Sequence, residues 1–153
     1  MPKVVDIRHL ETFFAEAEDV CIAVHTHPDG DALGSGVAML EYLRRCRGKR
    51  ATLLLPDPVA QYLRFLLPAD GWLEASVAPQ EAERAVAASD LVICLDMNGF
   101  SRAGCLEQAL RGSRARKLLI GVDGHVVHPG LRSGHIVIHR LILRGNHDDG
   151  AHS

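Results

Sequence analysis

Residues 20–35 read VCIAVHTHPDGDALGS, and this stretch decides the fold. Val20 to Val24 is a short apolar run suited to a strand buried on both faces. The polar turn Pro28-Asp29-Gly30-Asp31 follows. From Ala32 to about Cys46, Leu33, Val37, Leu40 and Leu43 recur at helical spacing. Buried strand, polar turn and helix together open a βαβ unit.

The pattern continues on both sides. Residues 6–18 mix apolar and acidic positions as a helix does. Ala51–Leu55 is a second strand, stopped by Pro56, and Leu91–Leu95 is a third. Short helices are predicted over Val59–Leu67 and Pro79–Ala88, and another over Ser101–Leu110 with Ser101 as its cap. Lys117–Val122 is a fourth strand, and Ile136–Leu143 fits a last one. Strands alternating with helices predict an α/β domain with a parallel sheet flanked by helices, Rossmann-like in layout. Ligands in such sheets gather at the carboxyl ends of the strands. The residues there are His25 to Asp31, then Asp96 and Asn98, then Asp123 and His125.

The chain of 153 residues favours one domain, and its 47% hydrophobic content is enough for a core without staples. No apolar run approaches the ~20 residues that span a bilayer, so no membrane partner is expected. The N-terminus lacks a signal-peptide pattern, which makes a cytoplasmic location the default expectation. The net charge of −2 supplies no global field for nucleic acid. Two basic clusters stand out: Arg44, Arg45, Arg47, Lys49 and Arg50, then Arg111, Arg114, Arg116 and Lys117. They read as helix ends or as a track for an anionic substrate. Cys21, Cys46, Cys94 and Cys105 form no C-x-x-C pair and read as reduced, mostly buried thiols.

His25, Asp29, Asp31 and Asp96 carry the candidate chemistry. Imidazole with carboxylates suits a divalent transition ion such as manganese, iron or zinc. Two ions ~3.5–4 Å apart are the usual arrangement for hydrolysing phosphate esters, because they acidify a water and offset charge growing on the reacting oxygens. The bland alternative is a plain turn, with Asp31 capping the next helix. A Rossmann-type nucleotide binder is a weaker rival, since the first turn lacks G-x-G-x-x-G.

The run from His25 to Ser35 resembles the first motif of the DHH phosphoesterase superfamily, H-x-x-P-D-x-D-A-x-G-S. His25, Pro28, Asp29, Asp31, Ala32, Gly34 and Ser35 all match. Asp96, Asn98 and Arg102 resemble its second motif. The pairing is most similar to the RecJ-like branch that includes nanoRNases and pAp phosphatases, and it covers roughly residues 10–129. The resemblance implies that His25 and Asp29 hold a first Mn2+, that Asp31 holds a second, and that Asp96 bridges them. It implies a phosphate at the helix opened by Gly34 and Ser35, with Asn98 and Arg102 beside the substrate. Read without it, Ser35 is a small packing residue and Arg102 a surface arginine. His27 fills a variable position and is given no ligand role. The implied partner is a small nucleotide or a short oligonucleotide.

The third motif departs from the pattern. The family has Asp-His-His after the fourth strand, and this chain has Asp123-Gly124-His125. Asp123 and His125 match as catalytic positions, His125 also beside the substrate, but Gly124 replaces a histidine that binds the second ion. Residues 1–129 therefore read as the catalytic domain and 130–153 as an atypical tail, partly disordered, with the family's second domain absent. Six of the nine histidines lie at or after His125. A truncated or frame-shifted product is expected, and resequencing the locus tests it: a clean end with no second-domain remnant in another frame would sink it. Two functions follow: a two-metal phosphoesterase impaired by truncation, or an inactive remnant binding at most one metal or a nucleotide.

Overall fold

A computed structural model describes residues 3–4, 10–97, 99–121 and 135–139. Asn98, Asp123, Gly124, His125, His128 and the tail after His139 lie outside them. The elements are β1 (Lys3–Val4), α1 (Leu10–Glu16), β2 (Asp19–Ala23), α2 (Gly30–Glu41), β3 (Arg50–Leu55), β4 (Trp72–Glu74), α3 (Pro79–Ala88), β5 (Leu91–Leu95), α4 (Glu107–Gly112), β6 (Arg116–Gly121) and β7 (His135–His139). The strands form one seven-stranded sheet in the order β1-β7-β6-β5-β2-β3-β4. Every pairing is parallel.

Alternation along the strands builds two apolar layers. Val20, Ile22, Val24, Leu53, Leu55 and Ile93 meet Phe13, Phe14, Leu33 and Leu40 of α1 and α2. Cys21, Ala23, Leu54, Val92 and Cys94 face Ala82, Val86, Phe100, Leu106 and Leu110 on the other side. Both faces are covered, which is why the central strands read as continuous apolar runs. Gly36 lets α2 sit close on the sheet, because a Cβ there would lie 2.9 Å from Leu53 Cδ1.

Several elements differ from expectation. The helix predicted through Cys46 widens at Tyr42–Cys46 into i−5 bonding, with Arg47 N–H donating to the Tyr42 carbonyl, and Gly48 follows at φ 63°. The predicted helix 101–110 is a 3-10 stretch, Phe100–Leu106, broken at Gly104 before α4. Gly99 precedes it with no side-chain cap, so Ser101 is not the cap. Strands β1 and β4 escape periodicity because they have two and three residues. Cys21 and Cys94 are buried as expected, but Cys46 and Cys105 are exposed.

Both basic clusters precede strands, so Arg50, Arg116 and Lys117 stand at the amino-terminal rim of the parallel sheet. Arg44 pairs with Asp70, Arg45 with Glu41, Arg47 with Glu11, Arg50 with Asp19, Arg111 with Glu107, and Arg116 with Glu16. Lys117 is buried and its Nζ donates to the Ser113 carbonyl at 2.8 Å. These cations have structural partners, and Arg50, Arg116 and Lys117 stand at the rim opposite the carboxyl ends.

Candidate metal centre

From β2 the chain moves outward to β3 and β4, then crosses back so that β5 lies beside β2 on the other side. The crevice between the carboxyl ends of β2 and β5 is therefore the topological switch point, where open α/β sheets place ligands. His25 follows β2 and Asp96 follows β5, and Ala23 is in register with Cys94. The pairing thus sets the two polar residues on neighbouring strand ends.

His25, Asp29 and Asp96 come together there, with one ligand atom from each, all mutually within 4.8 Å. His25 Nε2 is 3.3 Å from Asp96 Oδ2 and 4.0 Å from Asp29 Oδ1. His25 Nδ1 lies 2.7 Å from the Thr26 carbonyl, which can only accept, so Nδ1–H is the donor. That bond turns the Nε2 lone pair toward the two carboxylates, as in metal-binding histidines. The imidazole is 9% exposed, so its aim is fixed by packing.

Asp29 is also the N-cap of α2. Its Oδ1 accepts the Ala32 N–H at 2.8 Å, at the third helical position. The capping role considered for Asp31 therefore belongs to Asp29. Asp31 sits exposed in the first turn, outside the three-residue group. Gly34 is half-buried with open space beside it, and Ser35 is exposed on α2. Arg102 is exposed, and its carbonyl accepts the Thr26 N–H at 2.8 Å. The roles expected for Asn98, Asp123 and His125 fall outside the described residues.

The acids elsewhere are largely matched to arginines: Glu11, Glu16, Asp19, Glu41, Asp70, Glu74 and Glu107 each have one. Among the described residues, no lysine or arginine pairs with Asp29, Asp31 or Asp96. Carboxylates gathered without a protein cation, around an imidazole lone pair, fit a divalent ion. The donor set is hard oxygen plus nitrogen with no sulfur, which suits manganese, iron or zinc over soft ions.

Two features of the surround were not read from the sequence. Asp96 has φ 56° and its N–H donates to the Ile120 carbonyl at 2.8 Å. That bond ties the carboxylate to β6. Gly104, at φ 55°, lies against the His25–Asp29 loop, since a Cβ there would stand 2.5 Å from Thr26 Cγ2. A glycine within a helical pattern is the one signal that pointed to it.

No curated protein matches the chain. Among solved structures, an exopolyphosphatase-related protein from Bacteroides fragilis superposes with a TM-score of 0.77 at 24% identity, over 91% of this chain. This chain spans 40% of that protein's length. The N-terminal domain of the DHH family matches residues 19–139, which takes in β2 through β7. With that match over most of its length, the chain belongs to the DHH family.

Proposed function

We propose that this chain is a metal-dependent hydrolase of phosphoester or phosphodiester bonds, acting on small nucleotides or short oligonucleotides. One observation carries the reading: His25, Asp29 and Asp96 converge at the switch point with no lysine or arginine paired to them among the described residues. His25, Asp29 and Asp96 would hold one divalent ion, and Asp31 and Asp96 would contribute to a second. When bound, such ions acidify a water and offset negative charge on the phosphate in its transition state. The chain's own part is positional. The Thr26 carbonyl orients His25, the α2 cap orients Asp29, and β6 orients Asp96. The start of α2 directs backbone N–H groups to the same rim, where they suit a phosphate oxygen.

Rim aromatics support the nucleotide class. Tyr62 and Phe65 are 76% and 80% exposed in a 3-10 turn, Gln61–Leu66, beyond the carboxyl end of β3. Residues three apart eclipse in such a turn, so both rings share a face. Leu63, between them, packs to within 4.0 Å of the position a Gly30 Cβ would take, next to Asp29. Exposed ring faces on a turn that packs against the start of α2 suit base stacking.

The second reading is a protein that binds one ion and does not turn over, and Gly124 in place of the family's metal-binding histidine favours it. Manganese titration calorimetry separates the two. Two ions in the wild type, both lost in Asp96→Ala, support the hydrolase and justify a screen of phosphodiester substrates. One ion removes the two-metal reading, and none removes the metal site altogether.

A further inference from the structure

The loop that carries His25 and Asp29 is anchored at two consecutive amides. Thr26 N–H donates to the Arg102 carbonyl at 2.8 Å, a backbone contact that involves no side chain. His27 N–H donates to Asp57 Oδ2 at 2.9 Å. Asp57 follows β3 and belongs to neither motif. His27 sits at φ 48°, while its ring is 93% exposed and its Nδ1 is 3.8 Å from the same Asp57 oxygen. An exposed ring packs on nothing, so packing does not explain the left-handed backbone. That conformation is uphill for a residue with a Cβ. A hydrogen bond to a carboxylate is among the stronger ones and offsets it. His27 lies midway between His25 and Asp29, so its conformation sets the angle between the two. Among the described residues, Asp57 is not in the converging group itself.

We propose that Asp57 is a positioning residue of the metal centre: its carboxylate holds the turn at His27 so that His25 and Asp29 face the same point as Asp96. The proposal rests on reading those three residues as a metal site. Manganese titration calorimetry on the full chain tests it with wild type, Asp57→Ala, Asp57→Asn and Asp96→Ala. Asp57→Ala is expected to bind manganese about 10–100-fold more weakly, the usual effect of losing a supporting contact to metal ligands. Asp57→Asn keeps an acceptor for the His27 N–H and is expected to restore most of the affinity. The asparagine variant thus separates loss of the acceptor from loss of the charge. Wild-type affinity in Asp57→Ala, with binding lost in Asp96→Ala, overturns the positioning role and leaves the metal site standing. Equal losses in the alanine and asparagine variants overturn it too, since charge alone would then matter. Absence of binding in the wild type sinks the metal site and this role together. If Asp57→Ala does not fold, Asp57→Glu carries the test: it keeps the charge and moves the acceptor, so weakened binding is expected and wild-type binding refutes the role.

Discussion

Replacing Gly104 with alanine strikes the His25–Asp29 loop from outside either candidate segment. Gly104 has φ 55° and ψ −123°, a region that an alanine avoids. Occupying it costs on the order of 1–3 kcal/mol. The new Cβ would also stand 2.5 Å from Thr26 Cγ2. The Thr26 backbone is held by its N–H bond to Arg102 and by its carbonyl, which accepts from His25, so relief has to come from turning its stiff, β-branched side chain. Overpacking of that kind costs about 1–3 kcal/mol more. The sum is about 2–6 kcal/mol, and with an m of about 2 kcal/mol per molar urea, the midpoint falls by about 1–3 M. Urea unfolding followed by far-UV circular dichroism reads this directly. Gly34→Ala is the control: Gly34 is inside α2 with open space beside it, so alanine there is expected to stabilise by about 0.5–1 kcal/mol. Opposite signs for the same chemical change are the expected result. A Gly104→Ala midpoint within about 0.3 M of wild type would refute the strained approach to Thr26.

The thiols divide by depth. Cys46 and Cys105 are expected to react with an aromatic disulfide reagent in the native protein, and Cys21 and Cys94 only after unfolding. Burial pushes the Cys94 thiol up to about 12, partly opposed by Lys117, and Cys21 up to about 11. The native state thus favours both neutral thiols, and their stabilising contribution is intact below the usual thiol range near about 8.5 and shrinks as pH rises toward those values. Urea midpoints between neutral and alkaline pH are expected to fall more steeply in the wild type than in a Cys21→Ala/Cys94→Ala variant, and equal slopes would contradict the assignment. Tyr62→Ala/Phe65→Ala is expected to leave stability within about 0.5 kcal/mol. The same variant is expected to weaken binding of a nucleotide by about 1–3 kcal/mol per stacked base. Fluorescence titration checks this, and unchanged affinity would remove the stacking face.

The central strands were legible because both sheet faces are covered, which forces Val20–Val24, Leu91–Leu95 and their neighbours to be apolar throughout. The first polar segment was legible for a related reason: polar residues directly after such strands have nowhere to go but the rim. The two short edge strands were not, since three residues such as Trp72–Glu74 carry no period. The break at Gly104 was missed because spacing alone does not distinguish a helix from a 3-10 stretch that kinks toward a neighbouring loop.

By itself, the sequence determined the α/β class, the run of strands, and which side chains were chemically fit to hold a cation. It did not determine which of those side chains meet. That was decided by strand order, because β5 pairs with β2 only after a crossover of many residues, and local pattern has no access to such a pairing. The tertiary structure also decided which charges are already spent. Arginines neutralise acids far away in the chain, as Arg116 does Glu16, and among the described residues leave Asp29 and Asp96 without one. Electrostatic pairing depends on distance in space, and the backbone path alone sets that distance.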